Sequence, residues 1–425
     1  MSIVVKHKTI GDGKPLICVP VVGKDVEQIK AECIEISKVQ ADIVEWRIDY
    51  FMKNNSIDRL IEVMTEIRSI IKHLPVIVTY RTAFEGGEEQ FDETNKVSEK
   101  QYVENAYYII DNLAPDMIDI EISRADDDTM KKLISYAADN QIKVIGSMHD
   151  FAKTPESKFM AGIFARMSKL GADIFKIAVM PETKQDVMRL MSFSADMKET
   201  YQNPIITISM GKMGLISRIA GETDGSAVTF ASVKNASAPG QIPVNEMKRL
   251  LNSLSAKKEN IFLVGFMGCG KSTVARKLGR CTGLEIVDVD AEIVKKENRS
   301  IADIFEREGE EVFRDIETKT LEEISLEGGR IVACGGGIVL KDENITIMKK
   351  YGTVILLTAT PETIYKRVCT DSSRPLLNNN MTIEHIEGML ESRKIRYEKA
   401  ADIIIETDDR NVDEIAAKIQ EEYYI

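Results

Sequence analysis

Lys176 stands between Phe175 and Ile177 in the apolar stretch IFKIAVMP. A lysine in an apolar, partly cationic setting loses some of its preference for the ammonium form. The neutral amine can then add to a ketone and form an imine. Once protonated, an imine draws electrons from a carbanion on the adjacent carbon. His149, at the end of IGSMH, is the natural proton carrier for such a step, because an imidazole titrates near neutrality.

A second set of residues points to phosphate chemistry. GFMGCGKST, Gly265 to Thr273, lies between the strand-like IFLVG and the helix-like VARKLGR. It fits G-x-x-x-x-G-K-[ST] in the context this motif requires. Backbone N–H groups of Gly268, Cys269, Gly270 and the residues that follow would wrap a nucleotide's phosphates at a helix start. Lys271 would reach the β- and γ-phosphates, and Ser272 would offer its hydroxyl to Mg²⁺ beside Thr273. Cys269 needs only to be small. In VDVDAEI, Asp288 and Asp290 fall on one parity at the end of a strand. Asp288 could hold a magnesium-bound water, and Asp290 could accept a proton from a substrate hydroxyl or simply fix it. Farther on lie Arg314 in a helical stretch, the triplet Gly335 to Gly337 after a strand, Arg374 in SSRPLL and Arg393 in ESRKIRYEKAAD. Glycines there let backbone approach a ligand closely.

These residues need scaffolds. Residues 16–22, 43–49, 76–82, 117–123, 142–149, 174–180, 204–211 and 227–233 read as eight short strands. Amphipathic helical stretches such as 25–40, 57–73 and 129–140 lie between them. Eight strands alternating with helices over about 250 residues predict a (β/α)₈ TIM barrel. Glu45, Arg47 and Asp49 share one strand parity, as do Thr79 and Arg81, Asp119 and Glu121, and Ser147 and His149. Helices cover the outer face of a barrel strand, so charges on one parity must converge inside and find partners there. The start, residues 2–14, reads as a hairpin closing the barrel's bottom. Residues 1–252 are assigned to the barrel and the polar stretch 253–260 to a linker. Residues 261–425 are assigned to a P-loop kinase domain with a parallel sheet flanked by helices.

Composition narrows the class. The chain has 425 residues, 44% hydrophobic and 29% charged, and a formal net charge of -12. This argues against general affinity for nucleic acid or an anionic membrane. Anionic substrates would need local arginine clusters. The six cysteines, Cys18, Cys33, Cys269, Cys281, Cys334 and Cys369, form no C-x-x-C pair, and there are four histidines. Scattered free thiols suit a reducing cytoplasm. The N-terminal stretch lacks an apolar run of signal-peptide length. No stretch approaches the ~20 apolar residues of a membrane span. No dinucleotide fingerprint G-x-G-x-x-G with an acidic partner is found.

The segments EWRID, YRTAFEGGE, MIDIEIS, SMHDF, FKIAVMP, ISMGKMGLISRIAGE and ASAPGQIPV together resemble type I 3-dehydroquinate dehydratase across the whole barrel. The resemblance implies dehydration of 3-dehydroquinate to 3-dehydroshikimate without a cofactor. It makes Lys176 the imine-forming residue and His149 the proton carrier. Glu85 would orient that histidine, while Glu45, Arg47, Arg81, Arg218, Ser237 and Gln241 hold substrate. Arg218 would take the carboxylate. Pro20 departs from the small hydroxyl residue that family members can carry there. The second half resembles shikimate kinase, which implies ATP and Mg²⁺. On that likeness Asp290, Arg314, Gly336 and Arg393 bind shikimate, and Lys271 and Arg374 stabilise the moving phosphoryl group. Arg367 and Arg410 would lie near the nucleotide, under a lid at 368–380. The two reactions are not consecutive, so a separate shikimate dehydrogenase would act between them. A homodimer through the barrel is a further expectation. Competing readings are a Schiff-base aldolase, a kinase for another small polyol such as gluconate, and a fusion with one inactive docking domain.

Overall fold

The computed structural model describes residues 2–88, 98–233, 240–255, 259–368 and 382–423. The chain divides into two compact units, Met1–Ser255 and Ala256–Ile425.

In the first unit a two-stranded antiparallel hairpin, β1 (Ile3–Val5) and β2 (Lys8–Ile10), precedes eight parallel strands. These are β3 (Leu16–Val21), β4 (Ile43–Arg47), β5 (Val76–Thr79), β6 (Met117–Glu121), β7 (Lys143–Asp150), β8 (Ile174–Val179), β9 (Ile205–Ser209) and β10 (Val228–Phe230). They pair in the order β10-β3-β4-β5-β6-β7-β8-β9. The ring is nearly closed. Between β9 and β10 a single bridge, Ile205 to Ser226, completes it. The Ser226 hydroxyl also accepts from Thr207 N at 3.1 Å.

Strand parity sorts the side chains as expected of a barrel. Val44, Trp46, Val76, Val78, Phe175 and Ile177 pack outward against helices. Cys18, Ile43, Ile77, Met117, Ile145 and Ile174 fill the lower interior, where Val5 and Ile10 of the hairpin join them. The hairpin therefore closes the bottom, as expected. Above this apolar plug the inward residues become charged. Several expected strands end early, β5 at Thr79 so that Arg81 follows it, β9 at Ser209 and β10 at Phe230. Asp49 lies in the short helix Ile48–Met52, and Ser123 in the turn Ile122–Arg124.

The second unit has five parallel strands, β11 (Asn260–Val264), β12 (Glu285–Asp288), β13 (Arg330–Ala333), β14 (Gly352–Thr358) and β15 (Ile403–Glu406), in the order β12-β13-β11-β14-β15. Apolar clusters fill both sides of this sheet. The stretch expected as a linker is shorter than the sequence suggests. Helix Val244–Leu254 runs through Ser253 and Leu254, and β11 already begins at Asn260. The helix's buried positions Val244, Met247 and Leu251 carry the helical spacing to the edge of that stretch.

Asp224 lies buried beneath the β9–β10 seam. Its Oδ1 accepts from Ser226 N at 3.1 Å, and its Oδ2 meets no partner among the described residues. Burial pushes this carboxyl up to about 6 from 3.8. The unfolded chain thus releases this proton at lower pH than the folded chain. The stability contributed by the protonated group is complete below pH 3.8, declines as pH rises through about 6, and stays lost above. Asp224→Asn should raise the thermal midpoint of this unit by about 2–6 °C at pH 7.5. The difference from the wild type should vanish near pH 4, as followed by calorimetry.

Candidate functional site

The charged layer of the barrel is organised around Asp119 on β6. One carboxylate oxygen accepts from Lys176 Nζ at 2.8 Å. The other accepts from Arg81 Nη2 at 2.8 Å and from the Ser147 hydroxyl at 2.5 Å. Asp119, Lys176 and Arg81 are each 3% exposed. Burial would raise the Asp119 carboxyl, but Arg81, Lys176 and His149 hold it well below the usual carboxylate range. Glu45 lies 3.6 Å from Lys176 Nζ and accepts from the Thr79 hydroxyl at 2.9 Å. The Phe230 ring sits under the amine, 4.8 Å away. The sequence suggested an apolar, partly cationic setting for Lys176. The walls are apolar and Arg81 is near, but two carboxylates stand at the amine itself. They come from β4 and β6, on the inward parity that β8 shares.

His149 and Glu85 form the second feature. Glu85 Oε2 accepts from the His149 backbone N–H at 2.9 Å and lies 2.9 Å from its ring Nδ1. Ser123 donates to the other oxygen of Glu85 at 2.8 Å. Burial and the neighbouring charge of Glu121 push Glu85 up to about 8, against the pull of Arg81. Burial, with Arg81 and Lys176 nearby, drives the His149 pKa well below its ordinary value. The imidazole therefore stays neutral at neutral pH and able to take a proton. Ser123 went unnoticed in the sequence, where it reads as a strand end. Its role arises because the turns Ala83–Glu85 and Ile122–Arg124 meet, with Arg124 over the Phe84 ring at 4.3 Å.

One pocket brings together Glu45, Arg47, Arg81, Glu85, His149, Lys176, Arg218 and Gln241. Arg47 is held by a bidentate pair with Asp49, both contacts 2.8 Å. Arg218 is 2% exposed in the short helix Leu215–Ile219, and burial draws its pKa down to about 10. A buried guanidinium at a pocket is a site that a carboxylate ligand would neutralise. Pro20 lies on the inward parity of β3, in register with Glu45. Ser237 lies outside the described residues.

In the second unit the P-loop runs from β11 into helix Lys271–Thr282. Gly265, Gly268 and Gly270 have φ of 142°, 83° and 94°. At Gly265 an added Cβ would stand 2.3 Å from the Leu357 carbonyl oxygen, so no side chain fits. Cys269 is buried, consistent with a purely spatial role. Lys271 Nζ donates to the carbonyls of Gly265 at 2.8 Å and Phe266 at 3.0 Å. Thr273 N bonds back to Gly270 O at 3.1 Å, in the first turn of that helix.

Asp288 does not share a strand with Asp290. It caps helix Val289–Glu297, accepting from Asp290 N at 3.1 Å and Ala291 N at 3.3 Å. Capping by Asp288 converts the expected strand end into a helix start. Its other oxygen accepts from the Ser272 hydroxyl at 3.3 Å, which ties the P-loop to this helix. A hydroxyl and a carboxylate side by side at the phosphate loop form an oxygen donor set that suits Mg²⁺.

The triplet after β13 serves as a hub. A Cβ at Gly335 would lie 2.9 Å from Asp290 Oδ1 and 3.0 Å from Glu317 Oε1, and one at Gly337 would lie 2.3 Å from Arg314 Nη2. Arg314 pairs with Glu317 at 2.9 Å and Glu310 at 3.0 Å. Glu317 is fully buried and was not singled out from the sequence. Its spacing of three from Arg314 on a helix is the signal that would have found it. Arg393 Nη1 donates to Gly336 O at 3.4 Å. Arg367 donates to Thr407 O at 2.9 Å and to the P-loop Gly268 carbonyl at 3.4 Å, whereas Arg410 bonds the Glu406 carbonyl at 3.2 Å. Arg374 and all of the expected lid except Val368 lie outside the described residues.

The family model for type I 3-dehydroquinase matches residues 17–258. That for shikimate kinase matches residues 267–424. 3-Dehydroquinate dehydratase from Clostridium kluyveri is 42% identical over 253 residues, covering 59% of this chain and 97% of that protein. A crystal structure of type I 3-dehydroquinate dehydratase from Clostridium difficile is 40% identical, covering 60% of this chain and 97% of that one, with a TM-score of 0.55. Shikimate kinase from Acinetobacter baumannii is 34% identical, covering 41% of this chain and 95% of that one, with a TM-score of 0.38.

Asp119→Ala should destabilise the first unit by about 3 kcal/mol, because it strips a shared counter-charge from two buried cations. Urea unfolding followed by circular dichroism should show its transition at lower denaturant, with Asp119→Asn between the two.

Proposed function

The chain belongs to the type I 3-dehydroquinase family through its first unit and carries a shikimate kinase domain behind it, and from that premise we propose how its side chains divide two reactions. The protein is a dehydroquinate dehydratase and a shikimate kinase in one polypeptide, and the second domain implies the use of ATP. The matches do not favour an aldolase, a kinase for another polyol or an inactive docking domain.

In the barrel, the Lys176 amine adds to the ketone carbon of 3-dehydroquinate, and loss of water leaves the imine. The amine must give up a proton before it attacks, and His149 is the neutral base in the same pocket. His149 then takes a proton from the carbon beside the imine. It returns that proton to the departing hydroxyl, which leaves as water. A second water hydrolyses the imine and frees Lys176, so the net change is loss of one water. Glu85 fixes the imidazole through its two contacts to His149. Arg218 takes the substrate carboxylate, and Glu45, Arg47, Arg81, Gln241 and Ser237 hold the ring and its hydroxyls. Side chains and water complete this scheme without a cofactor. The observation that carries it is a buried lysine, a histidine and a buried arginine lining one pocket.

In the kinase domain, Arg314 and Arg393 hold the shikimate carboxylate beside Gly336. Asp290 fixes the attacking hydroxyl or accepts its proton. That oxygen bonds to the γ-phosphorus of ATP, and ADP departs. Lys271 and Arg374 face the charge that develops on the phosphoryl group. Gly268 to Thr273 cradle the phosphates, with Arg367 and Arg410 beside the nucleotide. Ser272 and Asp288 would hold Mg²⁺, which neutralises phosphate charge when bound. The lid at 368–380 would exclude water.

No helix among the described residues is long and apolar enough to cross a membrane. We place the protein in the cytoplasm, as a homodimer through the barrel. A separate shikimate dehydrogenase supplies the ketone reduction between the two reactions.

Lys176→Ala should lower dehydratase activity by about 10³-fold or more while sparing the kinase, and Lys271→Ala should do the converse. Coupled assays of both reactions on each purified variant check this, and loss of both activities in either variant would contradict it. Because the fold keeps His149 neutral, the acid limb of dehydratase kcat/KM should fall below the ordinary imidazole pKa of 6.5. A pH–rate profile tests the position of that limb.

A further inference from the structure

Tyr397 lies on helix Ile383–Ala400, four residues after Arg393. Positions four apart share a helix face, so both side chains reach the same neighbouring loop. That loop is the glycine triplet. The Tyr397 ring is buried in the apolar cluster that includes Phe262, Val264 and Cys334. Its hydroxyl emerges from this cluster to donate to the Gly336 carbonyl. Arg393 donates to the same oxygen, but at 3.4 Å.

A peptide unit is planar, so fixing the Gly336 carbonyl also fixes the Gly337 N–H on the opposite side. Gly337 packs directly against the Arg314 guanidinium, and Gly335 against Asp290 and Glu317. The loop that carries this carbonyl therefore touches both arginines assigned to the substrate carboxylate. Among the described residues Arg393 is the carbonyl's other side-chain partner, and without the phenol a closer bond would draw that guanidinium onto the loop.

We propose that Tyr397 is a positioning residue for the acidic substrate of the kinase domain. It occupies the Gly336 carbonyl, sets the Gly336–Gly337 peptide, and stands beside the Arg393 guanidinium, which it keeps from closing onto that carbonyl. The inference rests on the assignment of shikimate to this site. The rigid ring sits in the core and the polar tip meets the Gly336 carbonyl with the Arg393 guanidinium beside it, so Tyr397→Phe removes that tip with little change of shape.

The test uses the full chain, with initial rates measured while shikimate and ATP are varied separately. Tyr397→Phe should raise KM for shikimate by about 3- to 10-fold, the scale of one lost hydrogen bond. The KM for ATP and kcat should stay within about twofold of the wild type. Thermal midpoints of both proteins are compared at once. A variant in which both KM values rise together with a large drop in midpoint overturns the inference, since that is the signature of a general packing role. Unchanged KM for shikimate in an otherwise active enzyme overturns it as well. A wild type inert toward shikimate overturns the kinase assignment and the inference together.

Discussion

A carboxylate shared by two cations inside a barrel is the constraint on which the first unit depends. Asp119 touches both Lys176 and Arg81 at 2.8 Å, away from water. Neither cation could be held there without a counter-charge, because the cost of burying a lone ion is several kcal/mol. The rest of the charged layer follows from that need. Thr79 fixes Glu45, Thr82 and Arg81 occupy Glu121, and Ser147 bonds Asp119. The apolar plug below and the helices outside leave the mouth of the barrel as the place where this layer can meet a substrate. An amine, an imidazole and a buried guanidinium are thereby presented to one small volume.

The kinase domain meets a similar demand by removing side chains. Each glycine of the triplet makes room for a different group. Gly335 admits Asp290 and Glu317, Gly336 lies under Arg393 and Tyr397, and Gly337 carries Arg314 on its surface. The P-loop uses the same device, with Gly265 fitted against the Leu357 carbonyl. Acidic and basic groups converge where backbone takes little space. Asp288 joins the two halves of the site, with one oxygen on Ser272 and the other on the backbone of Asp290.

Much of this was legible in the sequence, and for definite reasons. Strand parity located Glu45, Arg47, Arg81, Asp119 and Lys176 inside the barrel, because period two leaves no other face for them. The P-loop was readable because its glycines answer to geometry. Contacts between segments distant in sequence were not readable. The carboxylates at Lys176 come from β4 and β6, 131 and 57 positions away by subtraction of residue numbers. Ser123 meets Glu85 only because two turns dock. Asp290 was assigned to a strand because alternation outweighed the capping signal of Asp288. The end of the helix that closes at Leu254 falls in the stretch read as linker, because Asn252 and Ser253 begin a run of mostly polar residues. Ser237 and Arg374 keep their assignments from resemblance alone.

The chain joins a dehydroquinate dehydratase to a shikimate kinase. The central claim is that covalent chemistry runs through Lys176 on a carboxylate-bearing ring ketone. It is tested most directly by incubating the purified chain with 3-dehydroquinate, reducing with borohydride and mapping the peptides by mass spectrometry. A reduced substrate adduct on the peptide carrying Lys176 is the expected result. Turnover of 3-dehydroquinate with no adduct on Lys176, or with the adduct on another lysine, would contradict it.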